Sequence, residues 1–152
     1  MKKLLIFIFL LVIVAVCSLG SEIKFFNLKN DCKVELFVEN VSSNIFGNII
    51  KNGDGYVVSF DYENYEDTLK KVDGIYGESF IFNSSLKQFE NISNQIKKYS
   101  QSRINEVITI YGYVAGEDKF IYIDGQKVNV QLAFNTKNNV LVIGFPIILG
   151  SY

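Results

Sequence analysis

The chain reads as an α+β domain, with helices packed on one face of a curved antiparallel sheet. Three observations predict this. Short runs of alternating apolar residues recur between clusters of Asn, Asp and Gly, as half-buried strands do. One stripe of helical period interrupts them, and four strand-like segments close the chain. A chain of 152 residues matches the size of one domain.

Taken in order, Lys2 and Lys3 precede an unbroken apolar run of 13 residues, Leu4 to Val16, and small residues follow at Cys17, Ser18, Gly20 and Ser21. That is the pattern of a signal peptide. A spanning helix wants about 20 apolar residues, so the run is short for a permanent anchor. Residues 1–20 are therefore expected to be a signal peptide or an N-terminal membrane anchor, and residues 21–152 a single domain. Membrane contact is expected only through residues 4–19, if they are retained. Cys17 stands where a lipid-modified cysteine would, but behind the bulky Val16. The expected address is extracytoplasmic: secreted, or held at the outer face of the cytoplasmic membrane.

Residues 21–31 are a polar and aromatic lead-in. Lys33 to Glu39 alternates with Val34, Leu36 and Val38 on one side, a strand. Residues 40–55 are rich in Asn, Ser and Gly and read as turns, with Asn52-Gly53 and Asp54-Gly55 as signals. Tyr56 to Phe60 is a short strand. Asp61 to Val72 reads as a helix, acidic at its start and basic at Lys70 and Lys71, stopped by Asp73-Gly74. Ser79 to Asn83 is extended. Leu86, Phe89, Ile92, Ile96 and Tyr99 form the helical stripe, and Ser85 with Gln88 makes a capping box. Val107 to Val114 opens the closing set of strands. Lys119 to Ile123 and Lys127 to Asn135 flank Asp124-Gly125, a two-residue hairpin signal. Val140 to Phe145 is apolar on both faces and should be central or covered, and Pro146 ends it.

Composition excludes several chemistries. The chain has no His, which removes the commonest general base and zinc ligand, and no phosphate-cradling glycine motif. Two Cys cannot build a disulfide framework, and Cys32 reads as a small buried hydrophobe. Loss of residues 1–20 would remove Lys2 and Lys3 and no acid, leaving 13 basic groups against 16 acidic ones, a net charge of −3. An exported acidic chain has no electrostatic footprint for nucleic acid. The palette is rich in Lys, Asn and Ile with Arg103 as the sole arginine, which reads as an AT-rich bacterial genome. No cofactor or metal is implied, no catalytic residue is assigned, and the expectation is a protein that is not an enzyme.

One string carries a resemblance. Gly125-Gln126-Lys127-Val128-Asn129-Val130-Gln131-Leu132-Ala133, followed by Gly144-Phe145-Pro146-Ile147-Ile148 and terminal Tyr152, resembles the C-terminal signature of the YwmB-like family, best over residues 107–152. The strand ending in Gly112-Tyr113 fits the same pattern. Phe145 departs from it, since the family usually has Thr there, and family members are longer. The resemblance implies an exported protein of spore-forming Gram-positive bacteria, from a family with no established biochemical activity. It also implies a fold similar to the TATA-box-binding protein, here one complete unit with a shortened first unit. Fold does not imply function, so this shape says nothing about DNA.

Two functional expectations follow. In the first, the helix-free face of the sheet is the working surface of a non-catalytic cell-envelope or sporulation-associated interaction module. Tyr111, Tyr113 and Tyr122 supply flat apolar rings with a polar edge, and Asn129 and Gln131 supply amides, a chemistry suited to a cell-wall glycan or another envelope protein. In the alternative, acids grouped at Asp61, Glu63, Glu66 and Asp67 act as the paired carboxylates of a cell-wall hydrolase. A third reading is a purely structural membrane-anchored protein.

Overall fold

The structure, a computed structural model, describes residues 31–42 and 44–150. The leader with Cys17, most of the lead-in and Tyr152 lie outside the described residues.

The fold is α+β, an open antiparallel sheet with two short helices among the described residues. Strand β1 (Lys33–Val41) buries Val34, Leu36 and Val38, the alternation that marked it as half-buried. A hairpin of β2 (Asn48–Asn52) and β3 (Gly55–Asp61) packs beside it. A 3₁₀ turn (Tyr62–Asn64) and the five-residue helix α1 (Tyr65–Leu69) lead into the long strand β4 (Val72–Asn83). Helix α2 (Leu86–Ser93) then crosses the sheet to β5 (Lys97–Ile104) and β6 (Val107–Tyr113). The ribbon β7 (Ile121–Ile123) and β8 (Gln126–Val128) precedes β9 (Val130–Asn135) and β10 (Val140–Phe145).

Among the described residues eight strands form one sheet in the order β2-β3-β1-β4-β10-β9-β6-β5, and β7 pairs with β8 in a separate ribbon. From the edge inward, one half runs β2-β3-β1-β4 and the other β5-β6-β9-β10. Each half has four strands, but the two do not repeat one connectivity. Central β10 is flanked on both sides and buried through Phe145, as its unbroken apolar run requires.

One face carries the core. Val34, Phe80, Ile143, Leu132 and Ile110 are successive cross-strand partners in a buried row beneath the helices. Phe89 of α2 stacks on Phe134 of β9 with ring centroids 5.1 Å apart, and Ile92 and Ile96 extend that cover. Over the other half lie Tyr62, Tyr65 and Leu69.

Several elements depart from the sequence expectation. The helix foreseen over Asp61–Val72 is a 3₁₀ turn plus α1, because Val72 already pairs with Val41 in the sheet. The second helix is capped as foreseen, with the Gln88 N–H donating to Ser85 Oγ at 3.2 Å, but it ends at Ser93. Tyr99 belongs to β5, and Leu86 is exposed. Strand β2 lies where turns alone were read. The β8–β9 run breaks at Asn129, so the hairpin built on Asp124-Gly125 leaves the main sheet as its own ribbon. Asp124 and Gly125 both take left-handed angles, φ 48° and 74°, as a tight hairpin turn requires.

Candidate functional site

The candidate surface grows from β6. Tyr111 is the cross-strand partner of Gln131, itself the partner of Gly144. This row lies opposite the core row of Ile110, Leu132 and Ile143, so Tyr111 and Tyr113 sit half-buried on the helix-free side. Lys97 of β5 pairs with Tyr113, and its Nζ stands 5.4 Å from the centre of the Tyr99 ring. The ribbon adds the other end. Tyr122 faces Lys127 across β7 and β8, and the Lys127 Nζ stands 3.9 Å from the Phe120 ring centre and 5.8 Å from that of Tyr113. Phe120 and Tyr122 meet edge to face at 5.5 Å, and Tyr122 is 69% exposed.

Lys127 therefore joins the Tyr113 and Tyr122 phenols into one patch, through Phe120. Ammonium over aromatic faces is a favourable pairing that holds the rings in place. Of the five residues foreseen, the three tyrosines share this side of the molecule. Lys127 was legible as their partner, because a two-residue turn at Asp124-Gly125 sets position 122 opposite 127. Lys97 and Tyr99 were not, since the helical stripe absorbed Tyr99.

Asn129 and Gln131 do not belong to an exposed face, and here the expectation is corrected. Asn129 is 0% exposed. Its Oδ1 accepts from Val114 N–H at 2.8 Å, while its Nδ2 donates to Val114 O at 2.7 Å and Glu117 O at 3.2 Å. The carboxamide clamps the loop between β6 and β7, with both N–H donors spent and the whole group out of reach of a ligand. Gln131 is 4% exposed, and its Oε1 accepts from Ile148 N–H at 3.0 Å.

What covers Gln131 is the chain's own C-terminal strap, residues 146–150, which turns back across the helix-free face. A Cβ built on Gly144 would stand 2.5 Å from Ile148 N, and one on Gly77 would stand 3.2 Å from Leu149 Cδ1. Gly150 lies against Glu35 and Phe37. Glycine at 144 lets the strap's backbone approach the sheet directly, and glycine at 77 leaves room for the side chains of Leu149 and Pro146.

The grouped acids face water. Asp61, Glu63 and Glu66 are exposed, and Asp67 pairs with Lys70 at 2.9 Å. The hydrogen bond and charge of Lys70 hold the Asp67 carboxyl below its ordinary range. A different carboxylate is half-buried: Glu78 of β4 accepts from the Tyr65 hydroxyl at 2.6 Å. Burial, with the Glu78 charge beside it, pushes the Tyr65 phenol far above its usual value. Cys32 is buried, as read, and its thiol is pushed up to about 11, chiefly by burial and further by Asp31. Among the described residues no group of three or more Cys, Asp or Glu is placed to hold a metal ion, and no helix is long and apolar enough to cross a membrane.

No family model, no curated protein and no solved structure matches the chain.

Proposed function

We propose that this protein is an exported, non-catalytic module of the cell envelope, of YwmB-like type, which binds a wall glycan or another envelope protein through the helix-free side of its sheet. The observation that carries this reading is the patch organised by Lys127, which gathers Tyr113 and Tyr122 on their strands with Phe120, the residue just before β7. Rings of this kind supply large contact area at low conformational cost. The ammonium groups at 97 and 127 add charge-assisted donors. Export, from the leader pattern, brings that surface to the wall.

Co-sedimentation of the purified protein with isolated sacculi, with lipid vesicles as control, tests the reading. Saturable binding to sacculi alone is expected, weakened about tenfold or more by Phe120→Ala with Tyr122→Ala, a pair whose exposure spares the fold. Binding unchanged in that double variant would reject the patch. Release of reducing ends in the same assay, abolished by Asp61→Asn, is what the hydrolase alternative requires and this reading does not.

A further inference from the structure

The strap lies on one register row of the sheet, and that row has a distinct chemistry. Ser59, Glu35, Ser79, Gly144, Gln131 and Tyr111 are successive cross-strand partners on six adjacent strands. At about 4.8 Å between strands the row runs roughly 24 Å. Every member except Gly144 carries a side-chain hydrogen-bonding group. The rows on either side are apolar at their centres, Phe37 with Gly77 and Ile81 with Val142 and Ala133. The result is a polar track between apolar shoulders. Under the strap the track is incompletely satisfied. Ser79 is 1% exposed and its Oγ has no hydrogen-bond partner among the described residues, although buried hydroxyls ordinarily find one. Gln131 is engaged by the strap through its Oε1.

We infer that this row is a binding track for a neutral glycan strand and that the C-terminal strap is its displaceable cover, a deepening that rests on the envelope-binding reading above. The occupant follows from the chemistry of the row. Its backbone groups are spent in the ladder, so a strand-adding peptide finds no partners there. What the row offers is hydroxyl, amide and phenol groups that both donate and accept, with apolar flanks. That combination fits the hydroxyls and ring faces of a sugar chain. Glu35 is the row's one formal charge, which disfavours an anionic polymer and leaves a strong acceptor for sugar hydroxyls. Tyr111 at the end of the row joins it to the exposed patch through Tyr113, so a strand captured there can continue under the strap.

A cover that must leave lowers apparent affinity by the fraction of molecules with the track open. Two variants of the full chain should open it. Gly144→Val places side-chain atoms where Ile147 and Ile148 now lie, and Ile148→Pro removes the N–H that Gln131 holds. Binding of a soluble N-acetylglucosamine hexasaccharide would be measured by calorimetry, with limited proteolysis reporting release of the strap. Both variants are expected to expose the strap to protease and bind the hexasaccharide at least tenfold more tightly than the parent. Adding Gln131→Ala should remove the gain. A released strap with no gain in sugar binding overturns the inference, as does a strap that neither variant releases. So does capture of a synthetic Pro146–Tyr152 peptide in place of the sugar, which would make the row a peptide groove. Parent protein that still sediments with sacculi through Phe120 and Tyr122 would keep the envelope reading when the track fails, whereas loss of both would reject both.

Discussion

The Asn129 carboxamide closes the loop after β6 from inside, satisfying backbone groups of Val114 and Glu117 that no strand reaches. Alternation placed this residue outward with Lys127 and Gln131, but alternation sees only side-chain direction, and a break in the strand turns an outward amide into a buried clamp. Asn129→Ala should leave those groups unpaired at a cost of about 3 kcal/mol. For a domain of this size that lowers Tm by roughly 10 °C. An unchanged thermal transition would show that water replaces the carboxamide. Cys32 yields a second prediction at this scale. Its folded pKa, about 11, lies above the ordinary 9.0, so its contribution to stability is complete below pH 9 and lost as pH rises toward 11. Urea midpoints across that window should fall for the parent and fall less for Cys32→Ala. Iodoacetamide at pH 8 should label the native thiol far more slowly than the unfolded one, because the thiolate is scarce and the group is covered.

At the scale of elements, what the sequence disclosed depended on whether burial left a pattern. The strand at Lys33–Val41 and the run Val140–Phe145 were legible because one buries a single side and the other both. Strands β2 and β5 were not, because they are edge strands exposed along almost their whole length, and a strand wet on both faces has no alternation to read. The long helical stripe misled for the same physical reason. Ile96 is buried against Gly112 after the helix has ended, so its period was right while its backbone was not helical. The strap was invisible in sequence, since nothing local in Pro146-Ile147-Ile148 says where the chain folds back. The cap, by contrast, was local. Ser85→Ala should cost about 1 kcal/mol by removing the acceptor for Gln88 N–H. Chemical denaturation reads this directly, and an unchanged midpoint would mean that packing of Phe89 on Phe134 alone sets the helix start.

For the whole molecule, strand order dictates how stability is distributed. β4 and β10 lie at the centre of the eight strands, with hydrogen-bonded neighbours on both sides, the core below and the strap above. Their amides should exchange with deuterium only through global unfolding. Protection should fall outward through β1 and β9 to β3 and β6, and be lowest at β2 and β5, where one side of each strand faces water. The edges differ in character. Strand β2 exposes Ile49 and Ile50 beside a single charge at Lys51, whereas Lys97, Lys98 and Arg103 make β5 a basic edge, and charge on an edge opposes pairing of identical strands. Self-association, if it occurs, is therefore expected through β2. Hydrogen exchange at rising protein concentration separates the cases. Constant rates throughout describe a monomer, slowing confined to residues 48–52 describes pairing through β2, and Ile50→Lys should abolish that slowing. Slowing at residues 97–104 instead would contradict the charge argument and assign the association to the strand beside the tyrosine patch.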